Sequence, residues 1–131
     1  MEVFIIEERS AVREEIFKIF SKMKGVDITF SGCEKDFTPY LQRLKPDIVI
    51  LGADICGCGG IEVLRLIKDE FPGVVVIMIS DFSSPEYRTL WTDFGADYFF
   101  DRCYELDEMT GTVLLMKYNG TLRETEECLI C

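Results

Sequence analysis

Asp47-Ile48-Val49-Ile50-Leu51-Gly52 decides how this chain is read. The unbroken apolar run, rich in β-branched residues, fits a strand covered on both faces, as strands of parallel sheets are. Three further runs end as abruptly: Val3-Phe4-Ile5-Ile6 before Glu7-Glu8, Val74 to Ile79 before Ser80-Asp81, and Tyr98-Phe99-Phe100 before Asp101-Arg102. Laid side by side as parallel strands, they gather their polar ends along one sheet edge. In open α/β sheets that carboxyl edge holds ligands and chemistry, at the point where strand order reverses. Gly52 alone among these ends offers no side chain.

Between the strands the apolar period changes from two to 3.6. Val12, Ile16, Ile19, Phe20 and Met23 mark a first helix, capped by Ser10 and closed by Gly25. Val26 to Phe30 reads as the second strand, and Lys35 to Leu44 as a weak helix with Pro39 in its first turn or delaying its start. Ile61, Leu64, Ile67 and Phe71 mark a third helix, stopped by Pro72-Gly73. Ser84-Pro85-Glu86 opens a fourth with Ser as cap, and Gly95 closes it. Leu106, Met109, Val113 and Met116 mark a last helix ending near Asn119-Gly120. Five alternating βα units predict an α/β fold: a doubly wound, five-stranded parallel sheet with helices on both faces. Residues 1–120 form one domain on this reading, and 121–131 an acidic, mobile tail.

With 131 residues and 48% hydrophobic composition, a single packed domain is expected. The net charge of −10 repels a phosphate backbone, so nucleic acid is not an expected partner. The start lacks a signal peptide's pattern and no apolar run is long enough to span a bilayer, so a cytoplasmic location without membrane contact is expected. The chain has no histidine, which removes His nucleophiles, Ser-His-Asp triads and His-containing metal sites. The six cysteines read as free thiols in a reducing compartment.

The stretches Val3 to Glu8 with Arg13 downstream, Lys45 to Leu51, Gly57 with Gly60 to Leu64, Val76 to Ser80, and Gly95 to Asp101 together resemble the receiver domain of bacterial two-component response regulators. The resemblance covers residues 3 to about 118 and implies a flavodoxin-like sheet. It also implies roles. An acidic pair that holds Mg²⁺ falls on Glu7 and Glu8, the phosphate-contacting hydroxyl on Ser80, and the aromatic switch position on Phe99. The phosphoacceptor Asp falls on Gly52, the pairing Lys on Arg102, and the small residue after the hydroxyl on Asp81.

Gly52 cannot form an aspartyl phosphate. Asp81 adds negative charge to a pocket expected to hold Glu7 and Glu8, and Arg102 is expected to pair with one of these carboxylates. Glycine at 52 is also expected to serve the backbone freedom of the turn after the third strand. The resemblance therefore implies a stand-alone, non-enzymatic receiver that is not phosphorylated at the usual site, with no cofactor or weakly bound Mg²⁺. It would act on a kinase or effector, or as a homodimer, through the fourth helix, fifth strand and fifth helix, a surface expected to carry Tyr87, Arg88, Trp91, Met109 and Tyr118. Phe99 reads as core in preference to a moving switch.

Two alternatives stay open at this point. Asp54, two residues past Gly52, is a displaced candidate acceptor in an otherwise functional phosphorelay receiver. Cys56, Cys58 and Cys103 could approach one another as a thiol redox or metal sensor, although Cys-x-Cys is not the common zinc spacing. Cys33, Cys128 and Cys131 have no evident partners.

Overall fold

A computed structural model describes residues 1–31, 37–53 and 60–130, excepting the side chains of Ser31 and of residues 119–130. Its elements are β1 (Glu2–Ile6), α1 (Ser10–Ser21), β2 (Asp27–Ser31), α2 (Thr38–Leu44), β3 (Ile48–Gly52), α3 (Gly60–Glu70), β4 (Val75–Ser80), α4 (Pro85–Asp93), β5 (Tyr98–Asp101) and α5 (Leu106–Ile130). The strands form one parallel sheet in the order β2-β1-β3-β4-β5. The expected doubly wound architecture is present.

Alternation along each strand divides the core between two faces. Phe4, Ile6, Val49, Leu51, Val76 and Met78 face α2, α3 and α4, whereas Val3, Ile5, Ile48, Ile50, Ile77 and Ile79 face α1 and α5. Every residue of β3 is buried, which is why this run shows no alternation in the sequence. The chain leaves β1 for β2 on one side and for β3 on the other, so strand order reverses between β1 and β3. Register pairs Ile6 with Leu51, Gly52 with Ile79, and Ser80 with Asp101, bringing the polar ends level along the carboxyl edge.

Two local expectations change, and that for Pro39 is met. Arg9, not Ser10, is the N-cap of α1, and its extended backbone lets its own amide donate to Glu7. Thr38 opens α2, so Pro39 falls in the first turn, where its missing N–H costs nothing. The last helix passes Asn119-Gly120 and runs to Ile130. Thr121 to Ile130 contains no proline or glycine, and one interior glycine costs a helix only about 1 kcal/mol. Gly25 and Gly95 take positive φ at the turns after α1 and α4, as their closing role requires. Among the described residues no helix is long and apolar enough to cross a membrane.

Candidate functional site

β1 delivers Glu7 to the crevice between β1 and β3, where the side chain is 1% exposed. One oxygen, Oε1, accepts from both the backbone N–H and Nε of Arg9, each at 3.0 Å. The other, Oε2, lies over Gly52. A Cβ on Gly52 would overlap that oxygen and lie 3.1 Å from Glu7 Cδ. Gly52 is not among the glycines with positive φ, so backbone freedom is not the reason for glycine there. The reason is space: the carboxylate of Glu7 fills the volume that a side chain at position 52 would need.

A chain of alternating charges runs outward from Glu7. Arg9 Nη1 donates to Asp81 Oδ2 at 2.9 Å, Arg102 Nε donates to Asp81 Oδ1 at 2.6 Å, and Arg102 Nη1 lies 3.9 Å from Glu15 Oε1. The Arg9 guanidinium is held above its ordinary pKa, first by the hydrogen bond to Glu7 and then by Asp81, with burial opposing. Asp81 is held below the ordinary carboxylate value, first by Arg102 and then by Arg9, and Arg102 is correspondingly raised by Asp81. The crowded negative pocket expected from Glu7, Glu8 and Asp81 is thus not the arrangement observed. Arg9 separates Glu7 from Asp81, and Glu8 points to solvent. Arg102 does pair with a carboxylate, that of Asp81.

β4 and β5 build the other half of the edge. Ser80 is buried, and its hydroxyl accepts from the Phe82 amide at 3.0 Å. The buried Asp101 accepts from the Ser83 hydroxyl at 2.6 Å, the Cys103 amide at 2.7 Å and the Tyr104 amide at 3.2 Å. Its pKa is lowered, the Ser83 hydrogen bond being the largest cause. Arg88 pairs with Glu105, whose own carboxylate accepts the Asp101 amide and is lowered first by Arg88. Arg88 also lies 5.3 Å over the Phe99 ring, which meets Tyr87 edge-on at 6.0 Å. Phe99 belongs to the core facing α4. Of the residues expected on the interaction surface, Trp91 and Met109 are buried in the core, whereas Tyr118 is exposed. Leu90, Phe94 and Tyr98 are exposed large apolar residues in this region.

The donor set fits Mg²⁺ poorly as arranged. Octahedral coordination needs several converging oxygens, but Glu7 is engaged by Arg9, Glu8 is exposed, and position 52 supplies nothing. No group of three His, Cys, Asp or Glu residues among the described residues is spaced to hold a metal. Asp54, Cys56 and Cys58 lie outside the described residues, as do Cys33 and Cys131 and the side chain of Cys128. Cys103 is a free, exposed thiol.

Sequence reading passed over Arg9, Ser83 and the Arg88–Glu105 pair. The available signal was Arg9 itself: a cation directly after an acidic pair, in a chain with an added acid at position 81.

A family model described as the response regulator receiver domain matches residues 3–114. The response regulator GacA of Pseudomonas aeruginosa is 22% identical over 114 residues, covering 86% of this chain and 53% of its own length. VraR of Staphylococcus epidermidis is 26% identical over 100 residues, covering 74% of this chain and 47% of its own. The chain spans about half the length of the curated relatives it matches. Among solved structures, the signal receiver domain of a DNA-binding response regulator from Colwellia psychrerythraea superposes with a TM-score of 0.82 at 17% identity, covering 90% of this chain and 98% of that one. That likeness establishes the fold.

Proposed function

We propose, from the premise that this chain belongs to the response regulator receiver domain family, that it is a receiver unit of two-component signalling which takes up no phosphate at position 52 and signals through protein contacts. The observation that carries this is the Glu7 carboxylate seated in the space of the missing side chain at Gly52. A carboxylate that is buried and held by Arg9 supplies negative charge there without any phosphodonor. The Arg9–Asp81–Arg102 bridge then neutralises the pocket from outside.

On this reading the unit is not an enzyme, and Mg²⁺ binds weakly or not at all because Arg9 already occupies the place of a cation beside Glu7. The proposed partner, a kinase, an effector or a second copy, meets the surface of α4, β5 and α5, where Leu90, Phe94, Tyr98 and Tyr118 are exposed.

Mass spectrometry after incubation with a small phosphodonor and Mg²⁺ tests the central point. The unmodified chain is expected to gain no phosphoryl group, and Gly52→Asp alone is expected to gain little, because Glu7 obstructs the new carboxylate. Combining Gly52→Asp with Glu7→Asp, Asp81→Ala and Arg102→Lys should permit labelling at position 52, since it shortens the obstructing acid, opens the approach and restores a compact ammonium. Ready labelling of the unmodified chain would overturn the reading. If Asp54→Ala abolished that labelling, the acceptor would be Asp54.

A further inference from the structure

β2 is an edge of the sheet, and its outer side is unpaired among the described residues. The Asp27 amide donates to the Met1 carbonyl at 2.9 Å. Backbone groups of one strand residue point to the same side and those of the next to the other, so Ile28 and Phe30 turn their N–H and C=O groups to the open edge. Exposed edges are ordinarily blunted by charged side chains, above all lysine, by proline or by a bulge, and the one charged residue of β2 is Asp27 at its start. β2, Asp27-Ile28-Thr29-Phe30-Ser31, has no lysine or proline and pairs in continuous register with β1.

The two faces beside this edge differ in chemistry. On the α1 face, Phe30 (39% exposed) and Phe17 (44% exposed) meet with ring centroids 5.7 Å apart and, with Ser10, Arg13 and Glu14, line an open groove of about 290 Å³. On the opposite face Asp27 stands directly across from Glu2 in the β1–β2 register. Neither carboxylate forms an ion pair with another described residue. The Glu2 carboxylate accepts only the Thr29 hydroxyl at 3.4 Å, and two neighbouring acids without an ion-pair partner among the described residues, in a chain of net charge −10, favour a cationic visitor.

We infer that the β2 edge docks an extended segment of a protein partner in which apolar and basic residues alternate. The segment adds as a strand to β2, using the outward backbone groups of Ile28 and Phe30. Its apolar side chains enter the Phe17–Phe30 groove, and its basic side chains, pointing the other way, meet Asp27 and Glu2. Main-chain bonds supply affinity in such strand addition, and alternate side chains supply specificity. This surface lies at the opposite edge of the sheet from β5 and is independent of the state of position 52.

The test is an array of synthetic peptides with an apolar residue at every second position, made in basic, neutral and acidic series and titrated into the isotope-labelled full chain. Members of the basic series should slow hydrogen exchange at the Ile28 and Phe30 amides and bind at least about tenfold tighter than the acidic series. Phe17→Ser should weaken binding by about tenfold. Asp27→Lys, at an exposed site, should reverse the charge preference; circular dichroism and the thermal midpoint verify that both variants fold. Three results would overturn the inference: no exchange effect at Ile28 and Phe30, a charge preference unchanged by Asp27→Lys, or peptide shifts confined to α4 and β5. Self-association of the free chain through β2 would also overturn it, by making a second copy the occupant.

Discussion

The two halves of the carboxyl edge handle buried negative charge in opposite ways. At β4 and β5, Asp101 is sealed in by the Ser83 hydroxyl from the segment between β4 and α4 and by two amides of its own turn. At β1 and β3, Glu7 is held by one long arginine that is itself 42% exposed and reaches on to Asp81. The first arrangement is part of the fold, because removing the buried acid leaves a hydroxyl and two amides without their acceptor. The second is a plug: side chains, and not strand geometry, fill a site that the topology creates regardless. On the proposed reading, phosphorylation is lost at this plug while the scaffold stays intact.

Asp101→Ala should therefore have the largest effect, a loss of roughly 2–4 kcal/mol in urea unfolding, since the Ser83 hydroxyl and the Cys103 and Tyr104 amides all lose their acceptor. The pH dependence has a fixed sign. Asp101 has a folded pKa below its unfolded one, so its contribution is complete above about pH 4 and disappears as pH falls through the folded value. Asp101→Asn should flatten that acid limb. A loss below about 1 kcal/mol for Asp101→Ala would mean that the two halves of the edge are alike.

Gly52→Ala comes next. The new methyl group must displace the Glu7 carboxylate and its two bonds to Arg9, at an expected cost of about 1–3 kcal/mol. Because the obstacle is the end of a side chain, the cost should nearly vanish in a Glu7→Ala background. A double-mutant cycle measures that coupling directly. Equal costs in both backgrounds would show that position 52 resists a side chain for a reason other than Glu7.

The fold was legible because β1, β4 and β5 each declare themselves twice, by an apolar run and by the polar residue that stops it. Ile48 to Leu51 reads as a strand covered on both faces, the βα alternation implies a doubly wound sheet, and the family resemblance supplies its flavodoxin-like strand order. The site was legible as a set of positions, since register alone brings Glu7, Gly52, Ser80 and Arg102 to one edge. Its charge arrangement was not. Whether Glu7 faces Glu8 and Asp81 or an intervening Arg9 depends on rotamers and on a cap residue that turns back toward β1, and neither follows from apolar periodicity. Nor does the sequence say why position 52 is glycine, since φ cannot be read from it, whereas the carboxylate filling its side-chain space decides the matter.

Asp81 should matter least to stability, and this is the sharpest check on the plug. It is 33% exposed and bridges two arginines that are also partly exposed. Solvent-screened pairs of this kind contribute about 0–1 kcal/mol, so Asp81→Ala should move the unfolding free energy by no more than that. The lowered pKa of Asp81 gives the contribution a direction: it is present above about pH 4 and lost as pH falls, in the same window as Asp101 but with a smaller amplitude. Added salt should erase it while leaving the Asp101 effect largely intact, because screening acts on exposed charges. What Asp81→Ala should change is the pocket. With the bridge gone, Arg9 and Arg102 present uncompensated guanidinium groups above the carboxyl edge, and inorganic phosphate should raise the thermal midpoint of the variant more than that of the unmodified chain. A large, salt-independent loss of stability in Asp81→Ala would place Asp81 with Asp101 as part of the scaffold and remove the contrast between the two halves of the edge.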